Sequence, residues 1–286
     1  MIRRLAVGGG IVVLADHPAR GGGGTPALLL HGFTGDRTSV ADLAAALAAD
    51  RRVVVPDLPG HGETEVGDDP ARCTFAAAEE LLRGVLRRLE VPRCALVGYS
   101  MGGRLALHLA LAWPDVVERL VLVSASAGLP SAEARAARRR DDDELARFVE
   151  RRPIADFVAR WEALPLFATE RALPAVVQAA RRRQRLGCRP VGLAASLRGM
   201  GAGAQPWLGD RVGELAMPVA LVAGARDPAY VARAGALATG IRGAALHVVA
   251  DAGHAVHLER PAALVAIVRA FLGAAPGEDH ACRSSG

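Results

Sequence analysis

The sequence predicts an α/β domain: a mostly parallel sheet flanked by helices, with one helical insertion. Three observations lead there. Short β-branched runs alternate with longer Ala/Leu/Arg stretches of helical apolar spacing, the order that gives a parallel sheet covered on both faces. Of the 286 residues, 51% are hydrophobic, enough for a large core. The alternation stops between about 129 and 206 and then resumes.

The segment ahead of Gly21–Gly24, which contains Ile11–Leu14, reads as the first two strands, paired as a hairpin at one edge. Ala27–Leu30, Val53–Val55, Ala95–Val97 and Leu120–Val123 are continuous apolar runs, as strands buried on both faces require. Val40–Ala49, Phe75–Leu89 and Met101–Ala112 carry apolar residues at helical intervals. Charge runs follow (Arg138–Arg140, Asp141–Asp143, Arg181–Arg183), with short helical patterns and no strand. Strands return at Val219–Val222 and Ala245–Val249, with helices over Tyr230–Ala238 and Ala262–Leu272. The insertion therefore follows the sixth strand. It is expected to lie as a lid over the carboxyl edge of the sheet, where open α/β sheets bind ligands. The expected division is a core in two parts, 1–128 and 206–276, a lid at 129–205, and a loose polar tail at 277–286.

Composition excludes several function classes. The formal charge is +5, and every one of the 35 basic residues is Arg, spread along the chain rather than gathered in a stripe. Without a stripe or a known module, nucleic-acid binding is not expected. The four Cys, at 73, 94, 188 and 282, form no C-x-x-C pair, so metal and thiol-redox motifs are absent. The apolar stretch after Met1 is too short for a signal peptide. No apolar run approaches the roughly 18 residues of a membrane span. The expectation is a reduced, cytoplasmic setting.

Gly98-Tyr99-Ser100-Met101-Gly102 fits G-x-S-x-G between a strand and a helix. In that context the glycines allow strand and helix to approach closely around a strained turn. The turn lifts the Ser100 hydroxyl above the sheet edge at the positive end of a helix. A serine hydroxyl is nearly inert at neutral pH and needs an adjacent base. Asp227 follows one strand and His254 the next, so both sit at carboxyl strand ends, in the order Ser, Asp, His. Anion stabilisation needs preorganised N–H donors. The oxyanion-hole candidates are the backbone N–H groups of Met101 and of Phe33, in the loop His31–Gly35. His31, Asp57 and His61 read as structural, and His257 as a packing or capping residue.

Leu30–Gly35, Asp57–Gly62, Gly98–Arg104 and Ala252–Glu259, with the lid segment Ser196–Pro206, resemble the 2-succinyl-6-hydroxy-2,4-cyclohexadiene-1-carboxylate synthase family of menaquinone biosynthesis, within the α/β-hydrolase superfamily. The resemblance implies an α/β-hydrolase fold and a lyase. Its Ser-His-Asp triad would remove the proton beside a succinyl ketone so that pyruvate is eliminated. It implies Ser100 as base, supported by His254 and Asp227, with no metal or organic cofactor. The expected partner is a small-molecule polycarboxylate substrate, with no nucleic acid and no membrane, and the chain a monomer or weak homo-oligomer. Arginine suits bidentate carboxylate recognition. Arg104, one helical turn after Ser100, faces the same side. Family-like lid positions map to Arg138 and Arg182, each of which also reads as part of a solvated helix face. Tyr99, Trp161 and Phe167 resemble pocket aromatics; for Trp161 and Phe167 the other reading is lid core packing. The family commonly has Lys two residues past the acid, where Ala229 stands here, followed by Tyr230, and Thr where Ala202 stands. A serine hydrolase (an esterase or a carbon–carbon bond hydrolase) uses the same triad, and a non-catalytic ligand receptor on this fold is a third reading. The polyanion-binding arginines favour the lyase, and an intact triad disfavours the receptor.

Overall fold

Parallel β-strands need crossovers, and helices supply them here. The chain runs β1 (Ile2–Val7), β2 (Gly10–His17), β3 (Gly24–Leu30), α1 (Ala41–Leu47), β4 (Arg51–Pro56), α2 (Phe75–Arg88), β5 (Cys94–Tyr99), α3 (Met101–Ala112) and β6 (Val117–Val123). It continues through α4 (Ala132–Arg151), α5 (Ile154–Glu162), α6 (Ala175–Leu186) and α7 (Pro190–Met200) to β7 (Val219–Gly224), α8 (Pro228–Gly240), β8 (Ala245–Val249), α9 (Val256–Glu259) and α10 (Pro261–Gly273). This computed structural model describes residues 1–65, 67 and 69–273, so the expected tail at 277–286, with Cys282, lies outside the described residues.

Among the described residues the strands form one eight-stranded sheet in the order β1-β2-β4-β3-β5-β6-β7-β8. β1 pairs antiparallel with β2, and β2 with β4, which is the expected edge hairpin; β3 to β8 pair in parallel. Strand side chains alternate between two core layers, as the period of two demands. Leu28, Leu30, Leu96, Leu120 and Leu122 pack with α2, α3 and α8 on one face. Ala27, Leu29, Val53, Val97 and Val121 pack with α1 and α10 on the other. Helices thus cover both faces, and the carboxyl strand ends are left for the site. No helix among the described residues is long and apolar enough to cross a membrane.

Two details differ from the sequence reading. The helix expected over Val40–Ala49 is a 3-10 turn, Arg37–Val40, followed by α1. Asp36 is the cause: its carboxylate accepts the Thr38 N–H at 2.7 Å while Ser39 Oγ accepts the Asp36 N–H at 2.9 Å. This reciprocal cap starts a tight turn before the apolar helical pattern begins. The insertion is more ordered than its charge runs imply. Ser131 caps α4 by accepting the Ala134 N–H at 3.0 Å, a contact worth about 1 kcal/mol. Ala146 and Val149 of α4, Phe157 and Val158 of α5, and Leu193 and Leu197 of α7 make a separate small core. The arginines and acids of α4 occupy its remaining face.

The β5–α3 junction fixes where the site stands. A Cβ on Gly98 would lie 2.4 Å from the Gly102 carbonyl oxygen, and one on Gly102 would lie 2.3 Å from the Leu30 oxygen. Both contacts are with backbone, which cannot move aside. Gly102→Ala is therefore expected to lose roughly 2–3 kcal/mol of stability. A urea midpoint lowered at unchanged slope would show it, and an unshifted midpoint would refute the close approach.

Candidate active site

Ser100 separates the last residue of β5 from the first of α3. Its backbone sits at φ 52° and ψ −111°, a conformation unfavourable for a side chain bearing a Cβ. The surroundings hold it there: the Ser100 N–H donates to Val123 O at 2.9 Å, and Ser100 O accepts the Arg104 N–H at 2.9 Å. Strain of this kind clusters at functional positions. The Ser100 Oγ lies 3.0 Å from His254 Nε2, and His254 Nδ1 lies 2.9 Å from Asp227 Oδ2. A carboxylate only accepts, so Nδ1 carries the proton and Nε2 presents its lone pair to the serine hydroxyl. The two Asp227 oxygens divide their work. Oδ1 caps α8 by accepting the Tyr230 N–H at 3.2 Å, while Oδ2 orients the imidazole. The His254 and Asp227 side chains are 1% and 8% exposed, so water does not compete for their contact.

The Ser100 hydroxyl opens into a chamber of about 120 Å³. Phe33 and Met101 border it. Met101 opens α3, where the first N–H groups have no helical acceptor. Phe33 lies in the turn closed by the Gly35 N–H donating to Gly32 O at 3.0 Å. His31 pins this turn. Its Nδ1 donates to Gly32 O at 2.9 Å, and its Nε2 accepts the Leu58 N–H at 3.0 Å. Both ring nitrogens of His31 are thus spent on structure. Asp57 is also structural, accepting the Arg37 N–H at 2.7 Å and the Glu63 N–H at 2.8 Å.

The chamber wall carries donors without acceptors. Arg104 is partly buried and borders the chamber. Burial pushes its guanidinium down to about 10, and its Nη1 has no hydrogen-bond partner. Arg181 is 7% exposed; burial and the neighbouring Arg185 both lower its pKa, and its Nε is unpartnered. Trp161 Nε1, also on this wall, is buried and unpartnered. Asp142 near Arg104 and Glu170 near Arg181 offset this burial only in part, since the pKa of both guanidinium groups stays lowered, and a buried cation that is incompletely matched is costly. Arg104 remains charged at neutral pH, so the wall is cationic and rich in hydrogen-bond donors.

The matches to known proteins agree with this geometry. The family model described as the alpha/beta hydrolase fold matches residues 25–261. A Klebsiella pneumoniae protein named 2-succinyl-6-hydroxy-2,4-cyclohexadiene-1-carboxylate synthase is 34% identical over 86% of this chain and 92% of its own length. A Bacillus subtilis relative bearing the same synthase name is 37% identical over 85% of this chain and 88% of its own. The solved structure of MenH from S. aureus superposes with a TM-score of 0.88 at 31% identity, covering 91% of this chain and 97% of that one. The chain belongs to the 2-succinyl-6-hydroxy-2,4-cyclohexadiene-1-carboxylate synthase family.

In this synthase-family chain Ser100, His254 and Asp227 converge, and Phe33, Met101, Tyr99, Arg104, Arg138, Trp161 and Phe167 all border the one chamber. Arg138 is half exposed at 47%, and its Nε donates to the buried Asp142 at 2.8 Å. This leaves its terminal nitrogens available. Arg182 is a correction. It lines a neighbouring cavity of about 310 Å³, which shares Phe167 and Arg181 with the chamber, but it does not border the chamber itself; it pairs with Glu162 and is 48% exposed. The neighbouring Arg181 enters the chamber in its place, because one residue turns a helix by roughly 100°. The sequence could not resolve that register within three consecutive arginines. Tyr230, Ser196 and Asp142 also border the chamber. Tyr230 follows the acid by three residues, and its ring lies 4.5 Å from that of His254. The offset from Asp227 is the signal that could have found it. His257 packs, with its ring 4.2 Å from Tyr99.

Burial lowers the pKa of His61 to about 3, and lowers those of His31 and His257 in the same direction. An unfolded histidine titrates near 6.5. As pH falls through the window from about 6.5 to 3, the unfolded chain takes up protons that folded His61 refuses, so stability is complete above that window and declines within it. Unfolding free energy at pH 5 is expected to fall below its pH 7 value, His61 alone contributing about 2 kcal/mol. Urea titrations of the native chain and of His61→Gln at both pH values check this, the variant showing the smaller drop. An equal drop would remove His61 from the effect.

Proposed function

We propose that this chain is a carbon–oxygen lyase. It eliminates pyruvate from 2-succinyl-5-enolpyruvyl-6-hydroxy-3-cyclohexene-1-carboxylate and leaves 2-succinyl-6-hydroxy-2,4-cyclohexadiene-1-carboxylate. The observation that carries this reading is the chamber wall: Arg104 Nη1, Arg181 Nε and Trp161 Nε1 are buried donors with no acceptor, around the same cavity as Ser100. A neutral ester would leave those cations unpaired, whereas a substrate with three carboxylates neutralises them.

The chemistry follows from the positions. His254 Nε2 draws off the Ser100 proton, and Ser100 Oγ takes the proton from the ring carbon beside the succinyl ketone. The electron pair moves toward the ketone oxygen, where the N–H groups of Phe33 and Met101 receive the growing charge. Collapse of this enolate shifts the ring double bond and breaks the bond between the ring carbon and the enolpyruvyl oxygen. The departing enolpyruvate gains a proton and becomes pyruvate. Asp227 holds the imidazolium that forms meanwhile. Residues 129–205 act in this reading as a lid bringing Arg138 and Arg181 over the core formed by 1–128 and 206–276. The setting is cytoplasmic, and the chain a monomer or weak homo-oligomer.

Incubation with the cyclohexene precursor, with pyruvate read by coupled lactate dehydrogenase, tests the reading. Pyruvate release by the native chain and none by correctly folded Ser100→Ala is expected. Rapid ester cleavage without pyruvate would instead make the chain a serine hydrolase. Arg104→Ala and Arg181→Ala are each expected to lower kcat/KM by about 10- to 100-fold, the scale of a lost charge-assisted contact. Arg182→Ala should stay within about 2-fold of the native value. Loss at Arg182 with none at Arg181 would reverse the register.

A further inference from the structure

We infer that Glu259 is the positioning residue for the His254 imidazole, and that Thr169 of the insertion braces it. The inference rests on the triad chemistry proposed above. Imidazole geometry is only as good as the backbone that carries it, and the loop between β8 and α9 has no ladder to hold it. Glu259 supplies the missing acceptors. Its Oε2 accepts the Gly253 N–H at 2.8 Å, and its Oε1 accepts the Ala255 N–H at 3.3 Å. One carboxylate therefore ties the N–H groups of both residues that flank His254. From the opposite side, Ser124 Oγ donates to the His254 carbonyl at 2.8 Å. The backbone of His254 is clamped on three consecutive residues, two of the clamps coming from Glu259.

The third contact of that carboxylate reaches the insertion. Thr169, in the 3-10 segment Pro165–Ala172 between α5 and α6, donates its hydroxyl to Glu259 Oε1 at 3.1 Å. A second observation places the same threonine against the same loop. A Cβ on Gly253 would lie 2.1 Å from Thr169 Oγ1. Gly253 does not have a positive φ, so close approach rather than backbone freedom excludes a side chain there. The segment that bears Phe167, a wall of the chamber, is thus seated on the loop that bears the base. A seated insertion completes the hydrogen bonds of Glu259, and Glu259 in turn holds His254 in register with Ser100.

Thr169→Val keeps the shape and removes the hydroxyl, while Thr169→Ser keeps the hydroxyl. Thr169→Val is expected to lower kcat for pyruvate release by about 10-fold with KM within about 2-fold, and Thr169→Ser to restore most of kcat. Glu259→Gln should lower kcat further. A second readout is independent of the substrate: the rate at which a fluorophosphonate labels Ser100. In that step the Oγ–phosphorus bond forms, fluoride leaves, and the hydroxyl proton passes to His254. Labelling should slow in parallel with kcat in the folded variants, as judged by their melting temperatures. If the native chain labels rapidly yet releases no pyruvate, the lyase reading fails while this inference is still decided by the labelling rates. Unchanged kcat and labelling in Thr169→Val, or a loss confined to KM, would overturn it.

Discussion

The hydrogen-bonded line from Asp227 through His254 to Ser100 is the constraint on which the rest of the structure depends. Its three members stand far apart in sequence, and each occupies the carboxyl end of a different strand. The parallel register of β5, β6, β7 and β8 brings those ends to one edge. Burial then makes two hydrogen bonds of about 3 Å strong enough to fix a tautomer. Local conformations that would be unfavourable elsewhere are maintained for this purpose. The left-handed backbone at Ser100 and the side-chain-free approach at Gly98 and Gly102 are examples. A fold of this size tolerates a few kcal/mol of such strain because its two core layers are continuous.

A nucleophile elbow alone is neutral about chemistry. The same serine can attack a carbonyl or take a proton from carbon, and the same pair of N–H groups suits either oxyanion. The difference lies in what surrounds it. Arginines held inside the protein with only partial compensation from Asp142 and Glu170 are costly, and in the proposed reading the carboxylates of the substrate complete their pairing. In that reading, selection of a polycarboxylate precedes the chemistry, and the free energy gained there is available to orient the acidic carbon against Ser100. Arg138 differs in kind from Arg104 and Arg181, being half exposed and held through Nε by Asp142.

Much of this was legible in the sequence because the signals are local or periodic. The strand–helix alternation gave the sheet, and Gly98-Tyr99-Ser100-Met101-Gly102 marked the elbow by the space its glycines leave. Asp227 and His254 were readable because each follows an apolar run by a short turn. The insertion was legible as a break in pattern, but its internal packing was not. Arg181 and Arg182 are chemically identical, and only the packing of α6, where Arg185 is drawn to Glu162 and Glu170, decides which of them turns inward. Tyr230 leaves only its three-residue offset from Asp227 as a signal, because its approach to His254 comes from the start of α8. The role of Glu259 was hidden for a similar reason. Its partners are backbone N–H groups and a threonine 90 residues away, and no spacing rule connects them.

In the proposed chemistry Ser100 removes a proton from carbon rather than attacking one. Precursor deuterated at the ring carbon beside the succinyl ketone tests this most directly, with kcat/KM for pyruvate release compared against the protonated compound. Proton abstraction gives a primary isotope effect and no covalent adduct on Ser100 by intact-mass analysis of the working enzyme. No isotope effect, together with a mass increase on Ser100, would contradict it.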